Sequence, residues 1–320
     1  MTAPKTIRVA TRASELALRQ ARRVQHLLEA RGLAVELATY KTLGDKRLDE
    51  PLSAIGAKGL FTKELERDLI KGKVDCAVHS LKDLPTEMGA ELALGAILKR
   101  ADPRDALLVN AVTGAASLAD LPRGSRVGTS SLRRRAQVLA ARLDLEVVEL
   151  RGNVPTRIRK VDEGHVHAAI LAAAGLHRLD AESRITCYLD PPDWLPAAGQ
   201  GAIAVQVRAG DDDMLTHLHA LDDPDTRIQV RAERAFLAAL EGGCQVPIGA
   251  LAVTGGPRPT LHGFIAEVDG RSVVRGALAL DLSAPELTGV RLANELRSRG
   301  ASEILGHLRR AEHLARPQPE

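Results

Sequence analysis

Arg126-Val127-Gly128-Thr129-Ser130-Ser131-Leu132-Arg133-Arg134 decides the fold reading. Within nine residues the chain passes from a short β-rich segment, through a glycine and three hydroxyl side chains, into a helical pattern that continues to residue 142. The same pattern returns on both sides. Downstream, residues 145–150 lead through Arg151-Gly152-Asn153 into a helix at 154–161, and residues 168–171 lead into another. Upstream, a strand at 6–10 runs through Thr11-Arg12-Ala13-Ser14 into Leu16, Ala17, Ala21, Val24, Leu27 and Leu28 at helical spacing, with Ser14 as N-cap and Gly32 as the stop. Strands at 35–40, 74–78 and 92–98 and a helix marked by Leu60, Phe61, Leu65, Leu69 and Ile70 complete that first set. Strands alternating with helices predict an α/β fold with mixed, mainly parallel sheets.

Punctuation divides the chain. Asp102-Pro103 breaks the pattern near 99–104, and residues 191–201, with three prolines and two glycines, predict a return crossing that delivers a strand at 201–207 to the first sheet. After Asp223-Pro224 come a helix at 228–240, apolar segments at 261–268 and 273–280 flanking the hairpin signal Asp269-Gly270, and helices at 284–299 and 301–314. The expected organisation is two α/β domains, 1–99 with 201–219 and 104–196, and a smaller α+β domain with an antiparallel sheet at 224–320.

Composition narrows the function. A chain of 320 residues with 45% hydrophobic and 27% charged residues is globular, which excludes disorder and fibre. It contains no apolar run of membrane-spanning length and no apolar leader, so a cytoplasmic protein without membrane association is expected. Cys76, Cys187 and Cys244 form no CxxC pair, and the histidine pairs His165/His167 and His217/His219 lack ligands at metal spacing, so neither a disulfide framework nor a metal site is expected. Only 2% of residues are aromatic, too few to stack bases, which argues against nucleic acid as partner. Ser14, Ser130 and Ser131 lie in no GxSxG elbow, which disfavours a serine hydrolase.

Charge is more telling. Of 44 basic residues 34 are arginine, the side chain suited to bidentate capture of carboxylates. The net +3 conceals ten basic against three acidic residues between Arg123 and Lys160, +7, leaving −4 for the remainder. An isolated charge run is ordinarily a solvated helix face. Here Arg133, Arg134, Arg151 and Arg157 fall at strand ends and helix starts, where a cation opposes the helix dipole and an anionic ligand would account for it. His79-Ser80-Leu81-Lys82-Asp83 ends another strand. An Asp among several cations stays ionised and suits stabilising a cation rather than accepting a proton. Cys244, in Glu241-Gly242-Gly243-Cys244-Gln245, is a loop thiol without a neighbouring His, a poor protease nucleophile but a reasonable attachment point for a covalent group.

Seven segments in order, residues 10–14, 58–61, 79–83, 128–134, 150–153, 199–201 and 242–244, resemble the motifs of the porphobilinogen deaminase (hydroxymethylbilane synthase) family. The resemblance implies two lobes like those of periplasmic binding proteins, with the active cleft between them, and a third domain whose Cys244 carries a dipyrromethane cofactor through a thioether. It implies stepwise deaminative condensation of four porphobilinogen molecules, through an azafulvene cation that Asp83 stabilises, then hydrolysis to the linear tetrapyrrole. Arg12, Lys82, Arg133, Arg134, Arg151, Arg157 and Arg178 would bind carboxylates, assisted by Ser14, Thr129, Ser130 and Ser131. Phe61 and Gln200 would line the cleft, Lys58 would belong to a segment covering it, and the protein would be a monomer. The competing reading is a non-enzymatic two-lobed anion-binding protein, which explains the doubled α/β pattern but neither the third domain nor Cys244.

Overall fold

In the computed structural model the described residues are 6–42, 62–240 and 246–315, with side chains to residue 310. The first sheet places β1 (Ile7–Arg12) parallel to β2 (Val35–Tyr40) and β3 (Cys76–Ser80), and β10 (Ile203–Arg208) antiparallel between β3 and β4 (Leu92–Ile97). The second repeats that plan. There β6 (Arg126–Gly128) runs parallel to β7 (Glu146–Val148) and β8 (Ala168–Ala172), while β5 (Asp105–Val109) lies antiparallel between β8 and β9 (Cys187–Leu189). The orders are β2-β1-β3-β10-β4 and β7-β6-β8-β5-β9. In each sheet the reversed strand is the one that has just crossed from the other lobe, β5 after residues 98–104 and β10 after residues 190–202.

Local chemistry sets the helices. Ser14 accepts from the Ala17 amide to start α1 (Glu15–Glu29), which buries Ala17, Gln20, Ala21, Val24 and Leu28 on one face. Ser131 caps α3 (Leu132–Ala141) through the Arg134 amide, and Asn153 caps α4 (Val154–Asp162) through Thr156. The remaining lobe helices are α2 (Lys63–Ile70), α5 (Ala173–Arg178) and α6 (Asp212–His219). Val9, Val24, Leu28, Val78, Val205 and Leu218 fill the first core, and Leu107, Val127, Val138, Ile170 and Trp194 the second. Both cores are nearly all aliphatic, as the scarcity of aromatics requires.

The third unit is an antiparallel sheet β11 (Ile248–Val253), β12 (Thr260–Ala266) and β13 (Val273–Ala279), packed by α7 (Pro224–Ala239) and α8 (Pro285–Leu296) and followed by α9 (Ser302–Ala315). Phe236 and Phe264 are fully buried there. Gly289 lets α8 approach α7 closely, since a Cβ on it would lie 2.4 Å from the Ala232 carbonyl oxygen. Gly270, at φ +73°, forms the expected Asp269-Gly270 turn and presses it against α3, where a Cβ would meet the Ala140 nitrogen at 2.4 Å.

Glu233 of α7 fastens this unit to both crossings. Its carboxylate, fully buried, receives Arg100 Nη1 at 2.6 Å and Nη2 at 3.0 Å, the Gly199 amide at 2.7 Å and the Ala252 amide at 2.9 Å. The sequence pattern marks no strand at 105–109, 187–189 or 248–253, and these three strands are the main difference between expectation and structure. The α/β plan with two mixed sheets and one small antiparallel sheet stands. Among the described residues no helix is long and apolar enough to cross a membrane, and no group of His, Cys, Asp or Glu could hold a metal ion.

Candidate active site

The strand ends of the first lobe form one wall. Arg12 ends β1, Ser14 follows as the α1 cap, and β3 runs through Ser80 into a single 3-10 turn, Leu81–Asp83. Gln20 Nε2 donates to Ser80 Oγ at 2.9 Å, tying α1 to that turn. Arg12, Ser14, Gln20, His79, Ser80 and Asp83 line one cleft. Arg234 of α7 donates to the Leu84 carbonyl at 3.2 Å and the Pro85 carbonyl at 2.7 Å, so the third unit grips the chain just after Asp83.

In the second lobe the hydroxyls are partly committed to the turn itself. Thr129 Oγ1 accepts from the Ser131 amide at 3.2 Å, Ser130 Oγ donates to the Leu150 carbonyl at 2.8 Å, and Ser131 Oγ caps α3. Arg133 and Arg134 point inward to an acid that the sequence did not single out. Asp105, fully buried at the start of β5, receives Arg133 Nη1 at 2.7 Å, Arg134 Nη2 at 2.7 Å and Nε at 3.1 Å, Trp194 Nε1 at 2.9 Å and Gln200 Nε2 at 2.9 Å. Their place at a helix start therefore has an internal counter-ion, and an external anion is not its sole explanation. Arg133 Nε and Nη2 find no acceptor among the described residues, so that guanidinium retains donors for a ligand. Burial alone would raise the Asp105 pKa; Arg133 and Arg134 outweigh it and hold the carboxyl well below the ordinary range.

Around this knot cations outnumber acids. Lys82 Nζ donates to Gln200 Oε1 at 3.2 Å, and its pKa is pushed down to about 8 by burial and by Arg134 and Arg133, against the opposing pull of Asp83 and Asp105. Arg157, whose Nε donates to the Gly152 carbonyl at 2.8 Å, is pushed down to about 10 by burial and by Arg134 and Arg151. Arg151 itself has Glu149 at 3.7 Å. Lys82, Arg133, Arg134, Arg151 and Arg157 thus repel one another around two carboxylates, Asp83 and Asp105. Polyanion binding would relieve that repulsion and return Lys82 and Arg157 toward their ordinary pKa values.

Arg178 is set apart from this group. It ends α5, donates to the Gly201 carbonyl at 2.6 Å, and is pushed down to about 10 by burial and by Arg23. Gln200 is fully buried in the second crossing, bonded also to the Pro103 carbonyl at 2.8 Å, and acts as a joint between the crossings more than as a cleft wall. His79 is the cleft residue that the sequence pattern undervalues. It is 5% exposed, its Nε2 meets no hydrogen-bond partner among the described residues, and burial, against the opposing pull of Gln206, pushes its pKa down to about 4, so the ring is neutral. A lone histidine in an apolar strand gives no sequence signal for this. Cys244, Lys58 and Phe61 lie outside the described residues. Burial raises the thiol pKa of Cys76 and of Cys187, which leaves neither suited to nucleophilic attachment.

Residues 7–216 match the family described as "Porphobilinogen deaminase, dipyromethane cofactor binding domain", and residues 227–298 match "Porphobilinogen deaminase, C-terminal domain". Porphobilinogen deaminase of Geobacter metallireducens is 48% identical over 312 residues, covering 97% of each chain. That of Syntrophobacter fumaroxidans is 48% identical over 309 residues, covering 96% of this chain and 99% of the relative. Among solved structures, the methionine-binding protein MetQ superimposes with a TM-score of 0.43 at 16% identity, covering 75% of this chain and 95% of that one.

Proposed function

This chain belongs to the porphobilinogen deaminase family and carries its dipyrromethane-binding domain, and from that premise we propose how its own residues condense four porphobilinogen molecules into hydroxymethylbilane. The observation that carries the reading is the crowd of five cations around Asp83 and Asp105. Each pyrrole of the growing chain brings two carboxylates, and the donor set fits them: Arg133, with N–H groups still to satisfy among the described residues, and two cations whose pKa values an anion would restore. When bound, the dipyrromethane supplies a nucleophilic pyrrole α-carbon held on the protein through Cys244.

The protein side of each cycle is positioning and electrostatics. Arg133, Arg134, Arg151, Arg157, Arg12 and Lys82 hold carboxylates, with Ser14, Thr129, Ser130 and Ser131 fixing the turns that present them. Arg178 binds farther along the path of the lengthening chain. Loss of ammonia from the substrate breaks a C–N bond and leaves a delocalised cation on the substrate-derived ring. Asp83, beside Arg12 and Ser14 in the cleft, accepts hydrogen bonds from pyrrole N–H groups and stabilises that cation as it develops. Neutral His79 adds no competing positive charge to the same wall.

The chain acts as a cytoplasmic monomer of three domains, 1–99 with 201–219, 104–196 and 224–320, with the cleft between the first two. Purified protein incubated with porphobilinogen should consume it, releasing ammonia and a linear tetrapyrrole. Binding of porphobilinogen without release of either product would favour the non-enzymatic anion-binding reading instead.

A further inference from the structure

We propose that Asp105 is a positioning residue for the whole cation cluster, aiming Arg133 and Arg134 by direct pairing and Lys82 through Gln200. This rests on the functional reading above. The geometry supports it at each link. The Asp105 carboxylate receives donors from α3, from Trp194 and from Gln200, and all of these partners are buried. By accepting Gln200 Nε2 it fixes which way that amide faces, so that Oε1 is left to accept Lys82 Nζ from the opposite lobe. The Pro103 carbonyl accepts from the same Nε2 and reinforces the orientation. One acid therefore orders cations contributed by both lobes, at the point where the chain enters the second sheet. Asp105 is fully buried and touches no ligand, so its effect on binding passes through these neighbours.

Such a role has a distinct signature. Interactions with carboxylates remote from the reacting carbon are equal in ground and transition states, so their loss raises KM and leaves kcat nearly unchanged. The charged groups around Lys82 are Asp83 on its own turn, Arg133 and Arg134 on α3, and Asp105 on β5. Neutralising Asp105 removes one of the two acids that support the Lys82 proton, so the Lys82 midpoint falls.

The test compares wild type, Asp105→Asn and Asp105→Glu as holoenzymes, with intact mass confirming the cofactor. KM and kcat for porphobilinogen and the Lys82 midpoint, followed by NMR of isotope-labelled lysine, are measured on each. Asp105→Asn is expected to raise KM about tenfold or more with kcat within about threefold, and to move the Lys82 midpoint below its wild-type value; Asp105→Glu should restore that midpoint. An unchanged KM, or an unmoved midpoint, overturns the proposal. Should Asp105→Asn not fold, Gln200→Leu keeps the arginine pairs and cuts the link to Lys82. It should raise KM and shift the Lys82 midpoint, and wild-type values for both would overturn the proposal. A wild-type protein that consumes no porphobilinogen would instead defeat the functional reading itself.

Discussion

The two lobes share one strand order and differ in the charge they place at their strand ends. The first presents Arg12, Lys82 and Asp83 around a cleft backed by neutral, buried His79. The second presents Arg133, Arg134, Arg151 and Arg157 around a buried acid that faces inward. The comparison shows one strand order carrying two different arrangements of charge at its strand ends. On the proposed function, both lobes contribute cations that hold carboxylates, and the first adds Asp83 to stabilise positive charge beside them.

Substitutions on the two sides should therefore fail in different ways. The largest effect is expected from Asp83→Asn in the first lobe: kcat should fall by about 100-fold or more, with KM within a few-fold and the cofactor retained, measured by steady-state kinetics and intact mass. In the second lobe Arg157→Met should raise KM about tenfold through loss of a charge-assisted contact, with kcat less affected. Its melting temperature should not fall, because burial and two neighbouring guanidiniums already disfavour the Arg157 charge. Equal loss of kcat in both variants would erase the division of labour between lobes.

A smaller effect lies in pH. Lys82, its pKa pushed down to about 8 before any anion binds, should lose its charge at lower pH than an ordinary lysine, so KM for porphobilinogen should rise on the alkaline side and Lys82→Met should flatten that limb. The stability signs are opposite to those of a favourable pair. Between about pH 8 and the ordinary lysine pKa of about 10.5, the unfolded chain holds a proton that folded Lys82 has lost, so this group makes stability rise with pH. For His79, between the ordinary histidine pKa of about 6.5 and its folded value of about 4, the unfolded chain again holds the extra proton. Stability should therefore fall as the pH drops through that window, and His79→Gln should blunt the acid-side loss in a melting series.

Sequence alone showed the strand–turn–helix units because their signals are local: Ser14, Ser131 and Asn153 cap the helices expected to follow them, and Gly270 forms the expected hairpin turn. Strand β5 was not legible. It begins with a carboxylate, which reads as a loop residue until its counter-ions arrive from Arg133 and Arg134, 28 and 29 positions away. Gln200 was legible as part of a motif but not as a joint, since its partners come from residues 82 and 103–105. The +7 stretch was legible as a concentration of cations at strand ends, while Asp105, the internal acid that Arg133 and Arg134 pair with, could be found only from tertiary contacts.

We propose that this cleft builds a polycarboxylate chain on the protein itself. Intact-mass measurement of the active protein, before and after addition of porphobilinogen, tests it most directly. An adduct of two pyrrole units on Cys244, absent in Cys244→Ser, is expected, with stepwise gains of one ring at a time when substrate is limiting. An active wild-type protein with an unmodified Cys244 thiol would contradict it.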